Sequence, residues 1–513
     1  MASLPYTPSK TLKRYQQPIH AELRAGFNSG KTKSIAYRKY QLLQLAYLVQ
    51  DNVKAFVDAL ASDLGRPALE SYFLETGGSV SEIMEAYKNV ETWAKPEKPP
   101  LSVNFMFMRP VTYKEPKGVV LIISPFNYPL WLCVAPMAGA IAAGNAVVIK
   151  PSESCPAVAG LLTELLPKYL DPSLVRVVNG AIPETSKLLD LTWGHRSARV
   201  GKIVAGAAAK TLTPVSLEVL SFPRKSPVFI DPASDMRLAA KRILWGKFAN
   251  AGQTCVAPDY VLVPRAFQDT FVDALKTAYA GFYPENDDIT KIVNQQSFNR
   301  VNGLLQATKG TIVCGGASDA TRKFIAPTIV KDVKTDDSLM SEEIFGPILP
   351  IVPVDDVDAG IAYVNANDHP LALYVFSQNE AYKTKVFGST QSGSAVANET
   401  ILIPGITGLP FGGIGPSGCE FVSSSPEPLA YTLTGDPACR IDKILSFRFP
   451  PYTEKNLQTL QARLATKLPA RPTGPPGAAS SSSAARKWFL VAFAVAVAGA
   501  LTTLKNRFPA VRA

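Results

Sequence analysis

The sequence has few of the residues that build metal centres or disulfide frameworks. Its 513 residues include only three histidines, and its six cysteines are scattered without a CxxC pair. Zinc sites and disulfide-rich folds both require closely spaced cysteine or histidine residues. We therefore expect no metal site and no disulfide framework, and the free thiols favour a reducing compartment.

Long basic runs and a secretory signal are also missing. The formal net charge is +11, yet the body mixes both signs, and the residues after 485 carry five basic groups and no acid. Proteins that bind nucleic acids gather basic residues on one face or segment, so no nucleic-acid partner is expected. The N-terminal segment MASLPYTPSKTLKRYQQPIH contains no apolar stretch of the kind found in signal peptides.

A stretch near the C-terminus, WFLVAFAVAVAGALTTL at 488–504, contains no charged residue. As a helix it would span roughly 25 Å, at the lower limit for crossing a bilayer. Trp488 and the basic residues on both sides are typical of anchoring at a membrane interface. Residues 453–487 include a run rich in proline, glycine and serine and predict a linker. The alternative for 488–504 is a buried helix of the body.

The body alternates strand and helix patterns. Residues 37–65 carry apolar side chains every three or four positions and predict one amphipathic helix. Residues 118–150 predict a β-α-β unit, and strand or helix patterns recur around 174–179 and 199–210. A second region of this kind runs from 225 to about 410. The recurrence predicts an open α/β sheet with parallel strands.

Three residues stand where such folds carry chemistry. Ligands bind beyond the carboxyl ends of parallel strands, and Asn127 and Lys150 both lie there. On spacing alone, a turn-forming asparagine and a solvated lysine are the simpler interpretations. Cys255, within FANAGQTCVAP at 248–258, is either a nucleophile or a thiol that fills space. The glycine-rich FGGIGPSG at 411–418 lacks a strand before it and a helix after it, so it is weak evidence for a dinucleotide site.

Several stretches together resemble the aldehyde dehydrogenase superfamily, and within it the class 3 or fatty aldehyde dehydrogenase branch, including fungal relatives that oxidise apocarotenals. They occur in the family's order over roughly residues 20–450. The stretches are SPFNYPL, GAIAAGNAVVIKPSE, LTPVSLE, FANAGQTCVAPDY, EEIFGPILP, HPLALYVFS and LPFGGIGPSG.

The resemblance implies roles for three catalytic residues. Cys255 would be the nucleophile, and its thiolate would attack the aldehyde carbon. The side-chain amide of Asn127 and the backbone N–H of Cys255 would donate to the developing oxyanion. Glu218 would be the general base that activates water to release the acid.

The resemblance also implies NAD, or NADP, as cofactor. Lys150 would hold the adenosine-ribose hydroxyls, Glu343 would hold the nicotinamide-ribose hydroxyls, and Phe345 would pack near the ring. Ser197 and Gly201 match the end of the segment whose helix receives the pyrophosphate. No metal is implied.

Two departures from the family fall in this cofactor region. In LTWGHRSARVG, 191–201, about four residues of strand and turn are missing, and Arg196 stands where the family has glycine. We therefore expect the strand beneath the cofactor to lack its end. In LEVLSFPRKSP, 217–227, residues 220–224 replace two glycines of the family, so we expect Glu218 to be displaced.

The implied architecture is an α/β aldehyde dehydrogenase fold, with a Rossmann-like cofactor domain, an α/β catalytic domain, a small oligomerisation arm and a C-terminal transmembrane helix. The predicted boundaries are 1–218 for the cofactor domain, with 99–117 contributing to the arm, 219–420 for the catalytic domain, 421–452 for a return and oligomerisation segment, 453–487 for the linker and 488–504 for the transmembrane helix.

The leading hypothesis is a membrane-tethered homodimer that oxidises long-chain fatty or apocarotenoid aldehydes to acids. Its catalytic body would lie in the cytosol at the endoplasmic reticulum, outer mitochondrial or peroxisomal membrane. The alternative is a catalytically impaired homologue that acts as a membrane-anchored binding or scaffold protein. A third interpretation is an esterase that uses Cys255 and Asn127 without a cofactor.

Overall fold

The computed structural model describes residues 16–98, 108, 110–191, 195–198, 201–217, 225–283, 289–406, 409, 411–414, 421–422, 432–434 and 449–476. The helices in this part of the chain are α1 (Gln16–Asn28), α2 (Ile35–Asp51), α3 (Val53–Leu64), α4 (Ala68–Ser71), α5 (Gly77–Trp93), α6 (Trp131–Ala143), α7 (Pro156–Tyr169), α8 (Ile182–Leu189), α9 (Gly201–Ala209), α10 (Met236–Phe248), α11 (Gln268–Phe282), α12 (Gln295–Ala307), α13 (Val357–Asn365), α14 (Glu380–Ser389) and α15 (Glu454–Leu464).

The first sheet has five parallel strands in the order β3-β2-β1-β4-β5. Its central strands β1 and β2 are apolar and buried along their whole length, because helices cover the sheet. The strands are β1 (Val119–Ile123), β2 (Ala146–Lys150), β3 (Val175–Val177), β4 (His195–Ala198) and β5 (Val215–Leu217).

The strand whose end the sequence predicted to be missing is present as β4. Its backbone pairs in parallel with β1 on one side and with β5 on the other. Arg196, at the family's glycine position, lies inside this strand opposite Leu121 of β1. The departure from the family therefore leaves a paired strand in the middle of the sheet, and residues 192–194 and 199–200 on either side lie outside the described residues.

The second sheet has eight strands in the order β17-β14-β13-β6-β7-β12-β11-β8, and only the pairing of β11 with the edge strand β8 is antiparallel among the described pairs. Apolar cores pack on it. Its strands are β6 (Pro227–Ile230), β7 (Tyr260–Pro264), β8 (Thr311–Cys314), β11 (Thr328–Lys331), β12 (Ile348–Val354), β13 (Ala372–Phe376), β14 (Ser394–Ala397) and β17 (Thr432–Thr434). Two short antiparallel pairs complete the strands: β9 (Ser318–Asp319) with β10 (Phe324–Ile325), and β15 (Phe411–Gly412) with β16 (Phe421–Val422).

The helix predicted over 37–65 is two helices. Asn52 separates α2 from α3 with φ −116° and ψ 20°, outside the helical range. Its side-chain amide donates to the Leu48 carbonyl at 2.8 Å, which satisfies one of the last acceptors of α2. The end of the predicted helix is confirmed, since Gly65 follows α3 with φ 59°.

The first part of the predicted linker is folded onto the body. Helix α15 lies within it, and Leu460 is fully buried in a small apolar cluster with Leu69 of α4. Further on, the Arg471 guanidinium lies 4.1 Å from the centre of the Tyr47 ring and pairs with Asp51. The segment from Tyr452 to Arg471 therefore packs on the first domain, the part of the chain built around the first sheet, whereas Phe449 packs against Trp245 and Phe282 in the second domain, built around the second sheet.

The predicted membrane helix, 488–504, lies outside the described residues. Within the described part of the chain, no helix combines the length and apolar character that crossing a bilayer requires. The predicted oligomerisation arm is described only in part: Glu97 and Thr112 form an isolated antiparallel bridge, whereas 101–107 and 436–448 lie outside the described residues.

Candidate active site

Cys255 lies between α10 and β7, in a segment that is packed inside the second domain. Of the described residues 242–263, it is the only one that is not buried. Cys133 and Cys155 are buried, and burial raises the pKa of the Cys133 thiol to about 12. Cys314 is partly exposed but lies on the edge strand β8. Cys255 thus combines an accessible thiol with closely packed neighbours.

The chain reaches Cys255 through a left-handed turn. Asn250, Ala251 and Gly252 have φ values of 55°, 52° and 70°. Each left-handed residue other than glycine costs about 1–2 kcal/mol, so surrounding contacts must hold the turn in place. At Gly252 a Cβ atom would lie 2.3 Å from the carbonyl oxygen of Gly346. Only glycine fits there, and the turn lies directly against the segment that precedes β12.

Asn127 lies in the loop after β1, is fully buried, and is bonded through its main chain to this turn. Its carbonyl oxygen accepts a hydrogen bond from Asn250 Nδ2 at 2.9 Å and another from Arg66 Nη2 at 2.5 Å. Arg66 Nη2 also donates to Asn250 Oδ1 at 2.6 Å. The structure therefore joins the loop that carries Asn127 to the turn that leads to Cys255.

Two buried carboxylates from the first domain complete this arrangement. Glu75 Oε1 accepts from Arg66 Nη1 at 2.6 Å, and Glu75 Oε2 accepts from the backbone N–H of Trp131 at 2.7 Å. Glu70 Oε2 accepts from the backbone N–H of Asn250 at 3.0 Å. Burial raises the pKa of both carboxyl groups, and the charge of Arg66 opposes this rise.

Two tyrosines bond to the residues on either side of Cys255. The Tyr128 hydroxyl shares a hydrogen bond of 2.6 Å with Thr254 Oγ1, and the Tyr374 hydroxyl donates to the Val256 carbonyl at 2.5 Å. Burial raises the pKa of both phenols, so they remain neutral at physiological pH. The residues on both sides of Cys255 are therefore fixed while its own side chain stays partly exposed.

Lys150 lies at the carboxyl end of β2, where the predicted cofactor site would be. Its backbone carbonyl accepts from the N–H of Ser124 at 2.9 Å, which ties the ends of β1 and β2 together. Its side chain is 4% exposed, and Nζ donates to the Pro151 carbonyl at 2.9 Å and to Glu153 Oε2 at 2.7 Å. Glu153 is 42% exposed, so one partner of the ammonium group borders solvent.

The other residues predicted for this site in the first domain lie within or after β4 and β5. Ser197 lies opposite Ile122 of β1, and Gly201 is the first residue of α9. The helix therefore begins at the carboxyl edge of the sheet, where N-terminal N–H groups favour anions. The predicted base, Glu218, directly follows β5 and lies outside the described residues, which resume at Lys225.

Glu343 and Phe345 lie in the segment before β12, and both are half-buried. The Phe345 ring is edge-on to Phe126 in the loop after β1, with 6.0 Å between ring centres. Arg300 donates to the backbone carbonyls of Glu343 at 3.0 Å and Ile344 at 2.7 Å. The second domain thereby places this segment against the end of β1.

A buried ion cluster holds the same segment from beneath. Asp259 pairs with Lys225 and, at 3.3 Å, with Lys247. Lys225 Nζ donates to the Glu342 carbonyl at 2.9 Å, and Asp259 Oδ1 accepts from the Ile344 N–H at 3.2 Å. Burial alone would raise the pKa of Asp259, but the two ammonium groups hold it below its ordinary value.

Sequence reasoning missed these buried charged residues. Arg66 lies far along the chain from Asn127 and Asn250, so no local pattern reveals the contact. The one available signal was the presence of Glu70 and Glu75 among apolar residues in ALESYFLET, since acids in such a setting are rarely buried without partners.

Solved structures with similar folds define the class of protein. The structure described as the substrate-bound state of Staphylococcus aureus AldH matches with a TM-score of 0.75 and 38% identity, covering 79% of this chain and 90% of that one. A Mycobacterium tuberculosis aldehyde dehydrogenase complexed with NAD+ matches with a TM-score of 0.70 and 26% identity, covering 78% and 85%. The fold is that of aldehyde dehydrogenases.

Sequence relatives give the family. Residues 10–433 match the aldehyde dehydrogenase family. Aldehyde dehydrogenase family 3 member B1 of Rattus norvegicus is 40% identical over 453 residues, covering 86% of this chain and 95% of the relative. The rat aldehyde dehydrogenase described as dimeric and NADP-preferring is 44% identical over 405 residues, covering 77% and 88%. The chain belongs to the aldehyde dehydrogenase family.

Family membership makes the chain an oxidoreductase that oxidises aldehydes with NAD(P), which confirms the predicted family, enzyme class and cofactor. The residues present fit such a cofactor. The buried ammonium of Lys150 and the carboxylate of Glu343 are suited to ribose hydroxyls, and the α9 N-terminus is suited to phosphate. In the described residues, no group of three or more His, Cys, Asp or Glu side chains could hold a metal.

Proposed function

We propose that the chain oxidises long-chain aldehydes, fatty or apocarotenoid, to carboxylic acids through Cys255. The observation that carries the proposal is the accessible thiol of Cys255 at the end of a turn that is hydrogen-bonded to the loop of Asn127. A partly exposed thiol on a turn that is bonded to the loop of a buried amide fits nucleophilic attack on an aldehyde with stabilisation of the oxyanion.

In the first half-reaction the Cys255 thiolate adds to the aldehyde carbon and forms a C–S bond, and the carbonyl π electrons move to oxygen. The side-chain amide of Asn127 and the backbone N–H of Cys255 donate to this oxyanion. NAD(P), when bound, supplies the acceptor for the hydride that leaves this carbon. The product on Cys255 is a thioester.

In the second half-reaction Glu218 takes a proton from water, and the hydroxide adds to the thioester carbon. The C–S bond then breaks, the carboxylic acid leaves with the Cys255 thiolate restored, and Glu218 releases its proton to solvent. Support for Glu218 comes from its place in the sequence, at the end of the stretch LTPVSLE that matches the family.

We propose that Lys150 binds the adenosine ribose, Glu343 the nicotinamide ribose, and Phe345 the nicotinamide face. Ser197 and Gly201 open the helix that receives the pyrophosphate. The rat relative described as NADP-preferring and the mycobacterial structure with NAD+ support a site that accepts either cofactor.

The long-chain substrate and the cellular setting rest on the predicted membrane helix, 488–504. A bilayer concentrates apolar aldehydes, and a tether there would keep a cytosolic catalytic body at the endoplasmic reticulum, outer mitochondrial or peroxisomal membrane. A homodimer is supported by the rat relative described as dimeric.

The direct test is NADH or NADPH formation from hexadecanal by the full-length chain in detergent or vesicles. We expect turnover in the wild type and none above background in Cys255→Ala. Cys314→Ala, which removes the partly exposed thiol of the edge strand β8, is the matched control and should keep full activity. An inactive wild type would contradict the proposal.

The second candidate is an impaired homologue that binds partners at a membrane. It is favoured by the two departures from the family in the cofactor region, where Arg196 stands at a glycine position and residues 220–224 replace two glycines. Calorimetric titration with NAD and NADP separates the two candidates. Binding in the micromolar to sub-millimolar range supports the dehydrogenase, and absence of binding together with absence of turnover supports the impaired homologue.

A further inference from the structure

Arg66 lies deep between the two domains and touches both loops of the active site. Its side chain has no exposed surface. Nη1 is occupied by Glu75, whereas Nη2 bridges the Asn127 carbonyl and the side-chain oxygen of Asn250. The guanidinium also lies 5.1 Å from the centre of the Tyr128 ring. One cation therefore contacts the residue that carries the oxyanion amide and the residue that begins the nucleophile turn.

The turn that Arg66 contacts needs such support. Left-handed conformations at Asn250 and Ala251 are unfavourable on their own and persist only where the surroundings over-determine them. The Asn250 side chain is fully engaged, because its oxygen accepts from Arg66 and its nitrogen donates to the carbonyls of Asn127 and Gln253. Arg66 thus holds both loops through hydrogen bonds from a single guanidinium nitrogen.

We propose that Arg66 is a positioning residue of the reaction, which sets the Asn127 amide and the Cys255 thiol relative to one another without touching the substrate. This inference rests on the proposed function, which assigns the oxyanion and nucleophile roles to those two residues. The planar fork of arginine is essential, because one nitrogen must reach Glu75 while the other reaches both loops. A lysine keeps the charge but offers a single nitrogen.

The test compares Arg66→Lys and Arg66→Met with the wild type. Arg242→Lys is the matched control, since Arg242 is also buried but pairs with Glu399 and donates to the Asn398 carbonyl rather than to Asn127 or Asn250. Four quantities are measured: kcat and KM of aldehyde oxidation, the rate of p-nitrophenyl acetate hydrolysis without cofactor, the Kd of NAD(P) by fluorescence titration, and Tm.

We expect kcat of aldehyde oxidation and the rate of ester hydrolysis to fall together, about tenfold in Arg66→Lys and on the order of 100-fold in Arg66→Met. The Kd of NAD(P) should stay within about twofold, because the cofactor residues do not contact Arg66. Arg242→Lys should lower Tm comparably and leave both rates near wild type. If Arg66→Met does not fold, Arg66→Lys carries the test.

Unchanged rates in a folded Arg66→Lys would overturn the proposal, and so would equal losses in Arg242→Lys at equal Tm. A loss confined to NAD(P) binding would overturn it as well. A wild type without either activity would refute the proposed function instead. In that case the alkylation rate of Cys255 by iodoacetamide, followed by mass spectrometry, still tests Arg66: a change in Arg66→Lys but not in Arg242→Lys supports the positioning role, and equal rates overturn it.

Discussion

The two halves of the active site are built differently. The thiol half, Asn127 with the turn 249–256, is held by buried hydrogen bonds from both domains, including charged groups on Arg66 and Glu70. The cofactor half comprises Lys150, residues 195–201 and residues 342–346. Among its described residues, 342–346 is held by a buried ion cluster, while Lys150 pairs with a partly exposed carboxylate.

This difference locates the parts of the protein that tolerate change. The departures from the family lie in the cofactor half, around 191–201 and 219–225, and none of them touches the described hydrogen bonds of the thiol half. We therefore expect that a change in the cofactor half can abolish hydride removal without abolishing attack by Cys255. A weakened cofactor half would leave a thiol that still hydrolyses esters.

The largest expected effect comes from breaking the ion cluster with Asp259→Asn. Removing one partner of a buried pair leaves uncompensated charge and costs about 3–5 kcal/mol of unfolding free energy at neutral pH. The folded pKa of Asp259 lies below its ordinary value of 3.8, so this stabilisation is present above that pH and is lost as the pH falls through the folded pKa. Chemical denaturation should show that the difference in unfolding free energy between Asp259→Asn and the wild type is smaller below about pH 4 than at pH 7.

The control for that prediction is Asp355→Asn, since Asp355 is 85% exposed beside Arg265 and should contribute little. An Asp259→Asn variant as stable as the wild type at pH 7 would contradict the prediction that the ion cluster stabilises residues 342–346.

Next in size is Asn127→Ala, which tests the chemistry of the thiol half. Loss of one oxyanion donor lowers kcat by about 10²–10³-fold. The Kd of NAD(P) should stay unchanged, because the amide acts on the aldehyde oxygen. Asn145→Ala is the control: Asn145 is also buried and accepts from the Gly118 N–H, so it should affect stability but not kcat. A kcat near wild type in Asn127→Ala would remove the assigned role.

Gly252→Ala tests the contact between the two halves. The new Cβ would meet the Gly346 carbonyl at 2.3 Å and would hold a left-handed φ of 70°, which together cost about 2–3 kcal/mol of unfolding free energy. Displacement of 342–346 should also raise the Kd of NAD(P). Ala251→Gly, at the neighbouring left-handed position, should stay within about 1 kcal/mol of wild type. Normal stability and cofactor affinity in Gly252→Ala would mean that the halves move independently.

The smallest effect is expected for Lys150→Ala. Loss of one charged hydrogen bond to a ribose hydroxyl raises the KM of NAD(P) about tenfold and leaves the cofactor-free ester hydrolysis unchanged. Lys383→Ala removes another buried lysine with a nearby glutamate, Glu380, and should leave both values as in the wild type. A loss of ester hydrolysis in Lys150→Ala would show that the two halves are not separable.

The fold was largely predictable where local signals decide it. The apolar runs of β1 and β2 and the glycine after α3 gave boundaries close to the observed ones, because burial on both faces and a left-handed cap leave direct traces in sequence. The interruption at Asn52 was not visible, since the apolar spacing continues across it and the break depends on a tertiary contact with Tyr169.

The site was predictable only in part. Resemblance supplied Cys255, Asn127 and the cofactor residues, and the described structure joins the segments that carry most of them. The charges that hold those segments could not be predicted. The contact of Arg66 with Asn250 and that of Lys225 with Glu342 each join positions more than a hundred residues apart, and the first also depends on how the two domains meet.

The presence of β4 has a consequence for how such a chain can evolve. A strand in the middle of a parallel sheet forms backbone hydrogen bonds to the amide and carbonyl groups of both neighbouring strands, here β1 and β5. These backbone groups can pair with an extended peptide of adequate length largely independently of its side chains. A deletion or splice change at this point can therefore replace the residues that face the cofactor while the strand pairing of the sheet is kept. Architecture and ligand recognition are inherited separately at this strand.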